Sequence, residues 1–144
     1  MAILNSIQMT PPKYPVSGPG IGGRSLHVIR GEFNTATQGA AANGDKINLF
    51  KLHPRFRVIG GHVTIKGGLG ASTTIIVGDA GDDDRYFASA SGAAAGTNTA
   101  LAETGRDYLN GGAYTTVQAT IGGANTNTTG SFVVVLTGII EEPA

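Results

Sequence analysis

Ten residues, Gly78–Phe87, read "GDAGDDDRYF" and hold the densest chemistry in the chain. Asp79, Asp82, Asp83 and Asp84 fall within six positions, followed by Arg85, Tyr86 and Phe87. Clustered carboxylates on a turn can supply several of the six to eight oxygens that calcium takes. An EF-hand loop, however, needs acids at alternate positions, a central glycine and a distal glutamate. No distal Glu follows here, and the motif does not recur along the chain as a repeat-type calcium loop would. Arg85 adjoins the acids and neutralises one of them. The spacing therefore predicts a strand-to-strand turn whose Asp side chains bond local backbone N–H groups. Tyr86 and Phe87 then open the next strand. A subunit contact is a further role for the cluster, with Asp83 meeting Arg55 or Arg57 of a neighbouring copy.

The remaining candidates are weaker. His27, His53 and His62 fall on different expected strands, with no spacing that gathers them for a metal. No Gly-x-Ser-x-Gly elbow is present. "GGLGAST" at 67–73 lacks the Lys-Ser/Thr ending of a phosphate loop, and no helix follows it. It reads as a hairpin turn. "RFR" places Arg55 and Arg57 on one strand face, and Lys66 extends this to a small cationic stripe. Such a stripe suits an acidic partner, or simply a solvated face. "GGANTNTTGS" at 122–131 is polar and uncharged, which fits a long loop or projecting hairpin tip. No nucleophile, base and oxyanion donors can be assembled from these residues, so neither an enzyme nor a bound cofactor or metal is expected.

The elements that must position these groups are strands. Of 144 residues, 40% are hydrophobic and come in clusters, while 23 are Gly. That composition suits short strands joined by tight turns. Segments 25–34, 46–52, 55–66, 72–79, 84–91, 113–121 and 131–140 read as strands, with a weak one near 99–104. Asn43–Gly44 is a strong turn signal. Inward apolar positions are even at Phe56 and Val58 but odd at Val63 and Ile65. Strand side chains alternate with period two, so a bulge or bend is expected at Gly60–Gly61. A bend there would let the strand cross from one sheet to another. "ASASGAAAGTNTALAE" lacks a helical apolar stripe and reads as loop with room for a short turn of helix. "SFVVVLTGII" is apolar at consecutive positions, so both faces must be covered. Residues 1–23, with "PPKYPVSGPGIGG", fit neither helix nor central strand. They are expected to form an extended N-terminal arm preceding a domain at 24–144. The expected fold is all-β, a jelly-roll-like β-sandwich of about eight short strands.

Charge narrows the function. Only 14% of residues are charged and the formal net charge is +0. A basic face for nucleic acid is not expected, nor is attraction to anionic membranes. No apolar run approaches the roughly 20 residues of a membrane span. A weakly charged surface of near-zero net charge tends to associate, which points to work inside an assembly. Cysteine is absent, which leaves the redox compartment open.

The order "HPRFRVIGGHVTIKG…TTIIVGDAGDDDRYFASAS…YTTVQATIGGANTNTTGSFVVVLTGII" resembles small virion proteins of tailed bacteriophages, over roughly residues 50–144. A strand leading into Gly60–Gly61, Val-Gly-Asp before Asp-Arg-Tyr, and an apolar strand after a Gly-rich hairpin carry the resemblance. It implies a head decoration (cement) protein, β-rich and trimeric, bound to the major capsid protein at capsomer junctions. Such a protein is made in the host bacterial cytoplasm and ends on the capsid exterior. Contacts are expected from the arm (Lys13, Tyr14, Pro15 and Ile21), the Arg55/Arg57 stripe and the C-terminal strand. Rival readings are a tail, neck or head-fibre component, and a calcium- or carbohydrate-binding β module.

Overall fold

A computed structural model of the chain describes residues 2–5 and 26–141. The described residues form nine strands: β1 (Ile3–Asn5), β2 (His27–Asn34), β3 (Lys46–Leu52), β4 (Phe56–Gly67), β5 (Thr74–Asp79), β6 (Asp82–Ser91), β7 (Asn98–Ala100), β8 (Thr115–Gly122) and β9 (Ser131–Ile140). One helical turn, α1 (Thr35–Gln38), follows β2. The strands make an all-β sandwich. One sheet runs β1-β3-β8-β5-β6 and the other β2-β9-β4-β7. Pairing is antiparallel except between β1 and β3.

Period-two alternation builds the core. Val117, Ala119 and Ile121 of β8 face inward, as do Phe132, Val134 and Leu136 of β9. All five phenylalanines of the chain are fully buried. Each such side chain contributes about 1.5–3 kcal/mol relative to an exposed one. The two C-terminal strands sit at the centre of their sheets. β8 lies between β3 and β5, and β9 between β2 and β4. Consecutive strands therefore seldom pair, and the fold closes only when the end of the chain inserts.

The change of phase in β4 is a bulge. Its register against β9 shifts between Val58 and Gly60, which lets Phe56, Val58, Val63 and Ile65 all face the core. The expected crossing to the other sheet does not occur: β4 pairs with β9 from Phe56 to Gly67. Gly61 explains the continuity. A β-carbon there would lie 2.9 Å from the Leu136 side chain and closer still to the Val135 carbonyl. The two backbones thus stay in contact across the bulge.

The Asn43–Gly44 turn forms, with Asp45 N–H donating to the Ala42 carbonyl at 3.0 Å and Gly44 at φ 93. It joins strands of different sheets and so is not a hairpin. The helical turn falls at Thr35–Gln38 rather than in the alanine-rich stretch. Asn34 caps it by accepting from Ala36 N–H at 2.9 Å, whereas Gly92 and Gly96 break up the alanines.

Candidate functional site

The aspartate cluster is the tip of the β5–β6 hairpin. Asp79 pairs with Asp82 across a two-residue loop, Ala80–Gly81. Neither loop residue has a positive φ, so the loop is not one of the primed turns that match strand twist unaided. The Asp79 side chain holds it instead. Its Oδ1 accepts from the N–H groups of Gly81 (2.9 Å) and Asp82 (3.1 Å). The carboxylate is 5% exposed, and its charge is met by Arg85. Arg85 Nε donates to Oδ2 at 2.8 Å and Nη2 to Oδ1 at 3.3 Å. The guanidinium also lies 4.0 Å from the centre of the Tyr108 ring. Tyr108 in turn meets Tyr86 edge-on at 6.2 Å. The Tyr86 ring is fully buried, and burial pushes its phenol far above the ordinary range. The cluster is thus the turn that its spacing predicts, with Arg85 fixing the outgoing strand.

Gly78 sits where the hairpin register shifts. A β-carbon at this position would strike the Asp82 carbonyl and the Asp83 backbone, so the turn needs glycine there. Asp82, Asp83 and Asp84 bring carboxylate oxygens within 4.8 Å of one another. The neighbouring Asp82 carboxylate, which accepts a hydrogen bond from Asp84 in its protonated form, raises Asp84 above the usual carboxylate range. Asp83 is exposed. Lys46 and Gln118 form the far side of an open groove beside this tip. Both are engaged: Lys46 Nζ donates to Thr120 Oγ1 at 3.2 Å, and Gln118 Nε2 to Asn48 Oδ1 at 2.7 Å.

Arg55 and Arg57 come together on Glu141, and Arg57 reaches Asp107, the neighbour of the Tyr108 that stacks on Arg85. Arg55 adopts φ 65 in the turn before β4, and its Nε donates to the Glu141 carbonyl at 3.1 Å. Arg57 grips the Glu141 carboxylate through Nε and Nη2. Its Nη1 also donates to the Asp107 carbonyl at 2.8 Å. The Glu141 hydrogen bond raises the already high Arg57 value further. Both arginines are therefore held by residues of their own chain. Lys66 is exposed near the opposite end of β4.

Segment 122–131 is anchored along its length rather than projecting. Ala41 N–H donates to Thr126 Oγ1 at 2.8 Å, and Asn43 N–H to Asn125 Oδ1 at 2.8 Å. Asn127 Nδ2 donates to the Gly68 carbonyl at 2.8 Å. Thr35 Oγ1 donates to the Gly130 carbonyl at 3.0 Å and accepts from Gly130 N–H at 2.9 Å. The hydroxyls and amides that suggested a binding tip satisfy loop backbone. The three histidines join no group of metal-ligating side chains among the described residues. His53 instead lies edge-on to Tyr114 at 5.4 Å.

Asn110 and Asp45 are buried polar residues that went unread in the sequence. Asn110 is 2% exposed and plugs the corner between β3 and β8. Its Nδ2 lies within hydrogen-bond reach of the carbonyls of Leu52, His53 and Ala113, and its Oδ1 accepts from Thr115 Oγ1 at 2.8 Å. The signal available was "NGG" at 110–112, a turn marker. Lys13, Tyr14, Pro15 and Ile21 lie outside the described residues.

Fold and polar groups together define a two-sheet β sandwich whose buried carboxylates and amides serve turns and corners. No family model matches the chain, and no curated protein does. Solved structures share its fold. A chain in the cyanophage Pam1 capsid asymmetric unit matches with TM-score 0.67 and 23% identity, over 91% of this chain and 99% of that one. A chain in the capsid of Ralstonia phage GP4 matches with TM-score 0.76 and 14% identity, over 99% and 100%. A chain in the acidic stable capsid structure of Helicobacter pylori bacteriophage KHP30 matches with TM-score 0.62 and 19% identity, over 83% and 91%.

Proposed function

We propose that this chain is a structural protein of a bacteriophage virion, of the head decoration (cement) kind, binding the outside of the shell where capsomers meet. One observation carries the reading. The fold is shared over 83–99% of this chain with chains from three phage capsids, which are themselves covered to 91–100%. The strand winding agrees. The orders β2-β9-β4-β7 in one sheet and β3-β8-β5-β6 beside β1 in the other support a jelly-roll reading, an architecture that viral capsid domains use.

The surface is consistent with an assembled partner. Val28 and Ile59 are 66% and 48% exposed on the outer face of the second sheet, on either side of β9. Clamping would work by multivalency: several modest contacts held in one oligomer bind more tightly than each alone. A protein that binds only the assembled shell stabilises it by mass action. Labelled protein, imaged on virions, tests the reading. Label distributed over the head supports decoration. Label confined to one vertex would mean a neck, tail or head-fibre component, and no label on particles would remove the virion role.

A further inference from the structure

Without β1, strand β3 would be an open edge at Lys46–Asn48. β8 covers one side of β3, and Ile3–Asn5 cover the other in parallel. An open edge invites pairing with another chain. Its receptor for an incoming strand is already shaped. The Asp45 carboxylate is 8% exposed. One of its oxygens accepts from Ala42 N–H at 2.9 Å, which fixes it. The other accepts from Ala2 N–H at 2.9 Å, and Lys46 N–H donates to the Ala2 carbonyl at 3.0 Å. Leu4 packs against the core, while Ile3 stays 58% exposed. Every strand partner of β1 lies on β3.

Nothing in this receptor distinguishes the strand of its own chain from that of a neighbour. Twenty positions, 6–25, separate Asn5 from Leu26. Such a length spans at most roughly 70 Å, against roughly 40 Å for the width of a domain this size. The same contacts can therefore form between copies at no loss. In a closed ring each donated strand is matched by a received one, and each exchange ties two copies together at high effective concentration. We propose that in the assembled protein residues 2–5 of one copy occupy the β3 edge of a neighbouring copy. This deepens the self-association part of the reading above and rests on it only in requiring that copies meet.

The chain has no cysteine, so an introduced pair is unique. Ile3 and Lys46 face each other in register, and neighbouring strands bring such positions within disulfide range. Chains carrying Ile3→Cys and chains carrying Lys46→Cys are co-expressed, purified in assembled form and oxidised. Exchange gives a linked pair of unlike chains at twice the chain mass, lost on reduction. The double variant I3C/K46C in one chain then gives linked multimers. A link found only within single chains, at every concentration including the assembled state, overturns the proposal. Should either variant fail to fold, Asn5→Cys with Asn48→Cys samples the same register two residues on. An oligomer without cross-chain links would sink the exchange and leave self-association standing. A cross-linked oligomer absent from capsids would leave the exchange standing and sink the capsid reading.

Discussion

Asp79 is the residue whose removal best separates a turn from a binding site. It satisfies two backbone N–H groups and one guanidinium at once, and it is buried. Asp79→Asn should cost about 1–3 kcal/mol, because a charge-assisted acceptor is lost and Arg85 keeps only the Asp82 carboxylate, 4.0 Å away, as counter-charge. Arg85→Lys keeps the charge but loses the forked grip and the stacking on Tyr108, a loss of about 1–2 kcal/mol. Urea midpoints of the two variants measure both; unchanged midpoints would mean that the hairpin tip is not held this way. Tyr86 makes the opposite prediction. Its hydroxyl is buried and meets no hydrogen-bond partner among the described residues. Tyr86→Phe should therefore leave stability within about 1 kcal/mol of the parent, or raise it. A drop beyond that in the same urea titration would reveal a partner for the hydroxyl.

At the scale of elements, the glycine pair of β4 divides its labour. Gly60 has open space where a β-carbon would go, while Gly61 has the β9 backbone against it. Gly60→Ala should change stability by no more than ~0.5 kcal/mol. Gly61→Ala should cost about 2 kcal/mol by forcing β4 and β9 apart. Thermal melts of the two variants side by side check the contrast, and equal losses would contradict the bulge geometry. The β1 attachment depends on pH through Asp45. N–H donation from Ala2 and Ala42 lowers its value below the usual 3.8. A lowered carboxylate stabilises the fold fully above 3.8 and loses that contribution as pH falls through the lowered value. The Lys46 amide should stay protected from hydrogen exchange at neutral pH and open only in stronger acid. Asp45→Asn should open it at neutral pH as well.

For the whole molecule, the contact residues expected in the arm and at Arg55 and Arg57 turn into one measurement. A chain lacking residues 1–23 should bind expanded phage heads with reduced occupancy, since both the arm and the β1 strand are gone. Undiminished occupancy would end the arm's role in binding. Arg57 is pinned by Glu141 and Asp107, so its contribution to a partner would come through the surface that this network shapes.

Much of the fold was legible in the chain. Seven strands fall within about two residues of their expected limits, because period-two alternation and Gly, Asn and Pro punctuation are local signals. The bulge at Gly60–Gly61 was readable for the same reason: a change of apolar phase within one strand has a single remedy. The turn at Asp79–Arg85 followed from side chains that reach their own backbone. Pairing was not legible. That β4 stays beside β9, that Ile3–Asn5 lie on β3, and that segment 122–131 is stapled to the 39–45 and 67–73 loops all depend on residues far apart in sequence. So does the meeting of Arg55 and Arg57 with Glu141. Local alternation and turn chemistry determine which residues form strands and which face of each is apolar. Only the closed sandwich decides which strands meet, because that choice is made by mutual burial of two complete faces.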